Sequence, residues 1–204
     1  MTCTLLIMRH GTIKANLAKR WHGSTDSPLL WRGRRQAKRL GRYVASRYPE
    51  LDALYASPLK RCQDTAAPIG DLLDLKIKTH EDLREWSIGD WEDMPFRELS
   101  DDKEFFTKSA KDPTWAAPGG ESLATVSDRC VAALRSISQH HTHAREDSHV
   151  AVVSHGAAMQ VAIATLLDSN AKRWQSYAIG NCSITELILN PEPYIEGYNL
   201  MHHL

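Results

Sequence analysis

Arg9, His10 and Gly11 stand together where an apolar run ends, in the segment Ile7-Met8-Arg9-His10-Gly11-Thr12. An arginine offers a planar cationic fork, an imidazole offers a nucleophilic nitrogen, and a glycine lets the backbone come close to a ligand. Capture of an anion beside a nucleophile is the chemistry such a triplet suits. Taken alone, the triplet is also compatible with a purely structural turn. The preceding Cys3-Thr4-Leu5-Leu6-Ile7 reads as a buried strand, which sets the triplet at a sheet edge, where α/β proteins place ligands.

Four further pieces follow in order. They are Ser57-Pro58-Leu59-Lys60-Arg61-Cys62-Gln63-Asp64-Thr65, Leu83-Arg84-Glu85-Trp86-Ser87-Ile88-Gly89-Asp90-Trp91-Glu92, Pro118-Gly119-Gly120-Glu121-Ser122 and Ser154-His155-Gly156. With the triplet, this set resembles the histidine phosphatase superfamily, the phosphoglycerate mutase-like proteins, from residue 5 to about residue 188. The resemblance implies that His10 is the phosphate-accepting nucleophile and Glu85 the acid. It implies that Arg9, Arg61 and His155 hold the phosphate, with Asn16 as a further contact and Gly11 bringing the backbone near. Two positions depart from the family pattern. Relatives usually carry Glu or Gln and then Ser or Thr after Arg-His-Gly, whereas Thr12 and Ile13 follow here, and Asp93 stands where a glycine commonly closes the Trp-Glu segment.

A phosphate monoester is close to a dianion at neutral pH, so a nucleophile is repelled unless cations surround the nonbridging oxygens. Arg9 and Arg61 fill the charge-neutralising role that metal ions fill in other phosphoryl-transfer enzymes, so neither a metal nor another cofactor is expected. The strand-to-helix turns at Ser57-Pro58 and His155-Gly156 are expected to add helix N-termini as anion donors, with Pro58 at the first helical position. His10 must be neutral to attack, and its second ring nitrogen is expected to donate to a carbonyl near Gly11. His155 is expected to donate to the transferring group, and Glu85 to protonate the leaving oxygen and later activate water. The plainer alternatives are an ion pair of Glu85 with Arg84 and a helix-capping role for Asn16.

The elements that must position these groups follow from periodicity. Residues 53–56, 149–153 and 183–189 read as further strands. Ala37, Leu40, Val44 and Tyr48 recur at helical spacing, and residues 59–73 and 123–137 read as helices. Strands alternating with helices predict an α/β class fold, a single-domain three-layer α/β/α sandwich. Residues 92–117 are acidic, contain aromatics and are broken by Pro95 and Pro113. They read as an insertion over the sheet edge and as the candidate specificity cap, with Trp91, Phe96, Phe105, Phe106 and Trp115 forming either a substrate wall or the insertion's own core.

With 204 residues, 25 Lys and Arg against 25 Asp and Glu, and four scattered cysteines, the composition points away from several classes. A net charge of zero gives no reason to expect nucleic acid as a partner, and the basic positions Arg34, Arg35, Lys38, Arg39 and Arg42 read as a solvated helix face. Cys3, Cys62, Cys130 and Cys182 lack metal-ligand or disulfide spacing and read as reduced, mostly buried thiols. His140, His141, His143 and His149 lack a completing cysteine or carboxylate for a metal site. The longest mainly apolar stretch, residues 157–167, is too short to span a bilayer, and the chain enters its first strand without a basic leader, so a cytoplasmic protein is expected. A homodimer is left open beside a monomer.

Within the resembled family, a phosphatase is favoured over a mutase. The glycolytic mutases usually carry Arg-His-Tyr-Gly after the catalytic glutamate and a covering C-terminal tail, whereas Trp-Ser-Ile-Gly follows Glu85 here. The expected substrate is a small phosphate monoester. A nucleotide, α-ribazole or phosphosugar leaving group stays open, and a silent phosphate binder is the third alternative.

Overall fold

The computed structural model describes residues 2–142 and 147–204, and His143 falls outside them. The apolar run ending at the Arg-His-Gly triplet forms β1, Thr2–Arg9. The other strands are β2 (Ala53–Ala56), β3 (Ile77–Thr79), β4 (Asp147–Ser154), β5 (Ile184–Ile188) and β6 (Tyr194–Leu200). They form one mixed sheet of order β3-β2-β4-β1-β5-β6. The first four strands run parallel, while β5 is antiparallel to β1 and β6 to β5. In the β1–β4 register Arg9 pairs with Ser154, so two strands deliver their last residues, and then His10 and His155, to the same edge.

The helices are α1 (Lys14–Leu17), α2 (Trp31–Arg47), α3 (Lys60–Leu73), α4 (Phe96–Asp101), α5 (Phe105–Lys111), α6 (Leu123–Thr142) and α7 (Gly156–Asp168). Side chains alternate across a strand, and here each set finds its own helices. Leu6, Met8, Leu54, Ala56, Ala151 and Val153 pack with Leu40, Val44 and Ile69 of α2 and α3. Leu5, Ile7, Val150 and Val152 pack with Leu134, Ile137, Met159 and Ala162 of α6 and α7. The central strands are therefore apolar on both faces, as a covered parallel sheet requires, and the predicted α/β/α layering is the observed one.

Two features differ from expectation. The strands β3 and β6 went unpredicted because both are edge strands with exposed polar or aromatic positions, including Lys78, Thr79, Glu196 and Tyr198. Pro58 does not open α3, because Leu59 keeps an extended backbone and the helix starts at Lys60. Residues 92–117, read as an insertion, carry α4 and α5, whose Leu99 and Phe105 are fully buried. Phe105 sits 5.4 Å from the Trp21 ring and 5.0 Å from the Trp86 ring, which anchors the insertion to the sheet edge.

On α2, Arg34, Arg35, Lys38, Arg39 and Arg42 are exposed while Ala37, Leu40 and Val44 are buried. Among the described residues no helix is long and apolar enough to cross a membrane. All four cysteines are free and buried.

Candidate active site

His10 emerges from β1 with its backbone N–H still bonded to the Ser154 carbonyl at 3.0 Å. Its Nδ1 donates to the Gly11 carbonyl at 2.8 Å. In a neutral imidazole that donation places the lone pair on Nε2. Burial first, then the Arg61 and Arg9 guanidiniums, push the pKa of His10 well below the usual histidine range. The ring is thus neutral and of fixed tautomer, the state that nucleophilic attack by an imidazole requires. The amide of Asn181 donates to the His10 carbonyl at 2.8 Å and to Asn16 Oδ1 at 3.2 Å, which holds the turn from its other side.

Gly11 contributes packing rather than a phosphate donor. Its N–H is spent on Thr65 Oγ1 at 3.0 Å, and its carbonyl takes His10. A Cβ at Gly11 would lie 2.7 Å from the Gly33 carbonyl of α2, a contact only glycine tolerates. Thr12, one of the departures from the family pattern, places both its N–H and its hydroxyl on Gln36 Oε1, at 3.0 and 2.7 Å.

The two arginines divide the work. Arg9 Nη1 donates to the Ile179 carbonyl at 2.9 Å, while its buried Nε has no partner among the described residues. Gly156 leaves the space that this guanidinium occupies: a Cβ there would lie 3.2 Å from Arg9 Cζ and Nε. Arg61 is fully buried and acts mainly as a clamp. It donates through Nη1 to Thr25 O (2.6 Å), through Nη2 to His22 O (3.1 Å) and Gly23 O (2.7 Å), and through Nε to His155 Nδ1 (3.2 Å).

Because Arg61 can only donate, His155 Nδ1 accepts, and Nε2 carries the proton toward Ser57 Oγ at 2.7 Å. Burial, then Arg61, hold the pKa of His155 well below its usual range, so the expected donor is a neutral ring. Its ring meets His10 edge-on at 5.3 Å.

Glu85 is buried at the N-terminus of α7. Its Oε1 accepts the N–H groups of Trp86 (2.9 Å) and Ala158 (2.7 Å), and its Oε2 accepts that of Ala157 (3.1 Å). These bonds narrow the idea of a free helix N-terminus for phosphate, since α7 gives the N–H groups of its second and third residues to this carboxylate. At α3, likewise, Lys60 N donates to Asp26 Oδ2 at 2.8 Å. The pairing of Glu85 with Arg84 does not occur: Arg84 bonds Glu81 at 2.9 Å on the surface.

The Pro118-to-Ser122 motif holds Glu85 indirectly. Glu121 binds Arg129 through both carboxylate oxygens, at 2.7 and 2.9 Å, and accepts Ser87 N at 3.0 Å. Arg129 donates in turn to the carbonyls of Asp82 and Arg84, each at 2.8 Å, and of Glu85 at 3.0 Å. Arg129, Asn181, Ser57 and Thr65 were given no role on sequence grounds. No spacing signal marks Arg129 or Asn181, whereas Ser57 and Thr65 lay inside a motif already singled out.

Arg9, Asn16, Glu85, Gly156 and His22 line one cavity of about 380 Å³. Asn16 Oδ1 also accepts Ile13 N at 3.0 Å, so the residue both caps α1 and faces the cavity. Of the five aromatics expected as wall or core, Phe96 and Phe106 line the cavity, joined by Trp21 and Trp174. Phe105 is buried beneath them, with Trp91 and Trp115 packed against the core. Two of the histidines weighed as metal ligands lie elsewhere. His141 faces the Tyr55 hydroxyl at 3.2 Å and His149 packs on Tyr48, and among the described residues no group of three His, Cys, Asp or Glu could hold a metal.

A sequence profile of the histidine phosphatase superfamily (branch 1) matches residues 5–199. The chain belongs to that superfamily. This histidine phosphatase is 32% identical over 205 residues to an uncharacterised phosphatase of Bacillus subtilis, covering 100% of this chain and 97% of that protein. It is 32% identical to the glucosyl-3-phosphoglycerate phosphatase of Mycobacterium tuberculosis, covering 90% of this chain and 84% of that one. In structure it matches the phosphoserine phosphatase of Entamoeba histolytica, solved with 3-phosphoglyceric acid, at a TM-score of 0.86 and 28% identity, over 99% of each chain.

Proposed function

We propose that this histidine phosphatase hydrolyses small-molecule phosphate monoesters through a phosphohistidine on His10, with no metal ion in the step. The observation that carries this is the 2.8 Å bond from His10 Nδ1 to Gly11 O in a buried ring flanked by two arginines. His10 Nε2 forms the bond to phosphorus while the phosphorus–oxygen bond to the alcohol breaks. The leaving oxygen takes a proton from Glu85, through Oε2, which accepts one backbone bond where Oε1 accepts two. Water then attacks the phosphohistidine, Glu85 takes back a proton, and inorganic phosphate leaves with Nε2 restored.

Arg9, with its unpartnered Nε, and Asn16 meet the phosphate oxygens, while Arg61 supplies fixed positive charge. His155 holds its Nε2 proton on Ser57, a bond for which an incoming phosphoryl oxygen competes. Residues 92–117 form the cap, contributing Phe96 and Phe106 to the wall that meets the alcohol. The four unpaired thiols fit a reducing, cytoplasmic setting. Every group in the two steps comes from one chain, so the scheme holds for a monomer or a homodimer.

Incubation with a panel of monoesters tests the reading: free phosphate is expected, undiminished by a chelator. Return of the phosphoryl group to a second hydroxyl shares the first step. It would show instead as 2-phosphoglycerate from 3-phosphoglycerate and a bisphosphoglycerate primer, without net phosphate.

A further inference from the structure

His22 is a cavity-lining side chain that the phosphoryl chemistry leaves unused yet the protein holds firmly. Its Nδ1 lies 2.6 Å from Asp93 Oδ1. A carboxylate only accepts, so Nδ1 carries the proton and Nε2 is the ring nitrogen turned to other partners. That Nε2 is buried and has no partner among the described residues, in a side chain only 9% exposed. Buried polar atoms in folded proteins are nearly always bonded, so one left open at the wall of a cavity marks the place of a ligand group.

The support for the ring is unusually specific. Asp93 has φ of +60°, in the left-handed region that favours glycine, the residue common at this position in the resembled family. An aspartate there accepts backbone strain, and its carboxylate is what fixes His22. The His22 carbonyl is bonded to Arg61 Nη2 at 3.1 Å, so the backbone under the imidazole is tied to the phosphoryl site. Gln160 and Gln175 add polar groups to the same cavity, between the rings of Trp21, Phe96, Phe106 and Trp174.

We propose that His22, oriented by Asp93, reads the leaving group through a hydrogen bond between Nε2 and a hydroxyl on the carbon chain of the alcohol. The site therefore takes esters of hydroxylated aliphatic alcohols in preference to bare alkyl ones. This rests on the cavity being the ester site argued above, and the test separates the two ideas.

Glycerol 3-phosphate and n-propyl phosphate differ in hydroxyl groups but not in carbon-chain length. Their affinities are measured by calorimetry on a His10→Ala background, where no turnover intervenes, and their kcat/KM values on the wild-type protein. The hydroxylated ester is expected to be favoured by on the order of tenfold or more in both readouts. His22→Ala should lower that ratio toward one. Asp93→Gly, which relieves the +60° backbone and so keeps the fold, should move the ratio the same way. Equal affinities in the parent protein would overturn the proposal, as would an undiminished ratio in either variant, or equal losses for both esters. Were the binding ratio to behave as expected while neither ester released phosphate, the subsite would stand and the hydrolytic reading would fall.

Discussion

Glu92 and Arg61 grip opposite sides of the same loop. The Glu92 carboxylate accepts the N–H groups of Gly23 (2.8 Å), Ser24 (3.2 Å) and Thr25 (3.4 Å), while the Arg61 guanidinium donates to the carbonyls of His22, Gly23 and Thr25. Peptide groups fixed at both ends hold the guanidinium in return, and through it His155. The glutamate of the Trp-Glu motif thus serves the phosphoryl site without touching substrate.

Replacing Glu92 by Gln puts an amide N–H₂ where several backbone donors converge. The expected loss is about 1–3 kcal/mol of stability, the cost of leaving buried donors unsatisfied. For a domain of this size that corresponds to roughly 2–4 °C of Tm per kcal/mol. Because the loop positions Arg61, kcat/KM should fall as well. Calorimetry with steady-state kinetics checks this, and an unchanged Tm would remove Glu92 from the scaffold.

Glu85→Gln should lower turnover by about 10²–10⁴-fold, the usual worth of general acid-base help. Vanadate, which mimics the phosphoryl group and needs no proton, should lose far less affinity. Comparable losses in both would reduce Glu85 to a capping residue of α7.

His10 and His155 carry pKa values pushed well below the histidine norm, by burial first and Arg61 next. Below about pH 6.5 the unfolded chain therefore binds protons that the native state refuses, so stability rises with pH up to that point and levels off above it for these two groups. As pH falls below about 6.5, stability should drop progressively with a contribution from each ring. Urea midpoints across this range measure the slope. His155→Asn should flatten it, and an unaltered slope would show that His155 takes up its proton in the native state.

The route from residues to fold was short where chemistry and periodicity coincide. The apolar alternation of β1 leads directly to His10, and the motif around Arg61 begins where β2 ends, so the sheet edge and the gathering of His10 and Arg61 at it were legible without coordinates. Other relationships were hidden by chain separation. His22 and Asp93 meet across 71 residues and His10 and Asn181 across 171, and neither pair lies on a common element whose period could reveal it. The roles of Arg9 and Arg61 were also indistinguishable in sequence, because carbonyl acceptors from a folded loop, not residue type, turn one of them into a clamp. The helix N-termini read differently for a similar reason: protein carboxylates, Glu85 and Asp26, take the N–H groups of Ala157, Ala158 and Lys60.

Rapid-quench mass spectrometry on the working protein tests the central claim most directly, by locating phosphate on the peptide that carries residue 10 during turnover of a monoester. A phosphorylated His10 that forms before free phosphate accumulates, and is lost with activity in His10→Ala, is the predicted result. Full turnover with no adduct on that peptide, or an alanine variant that works at the wild-type rate, would contradict it.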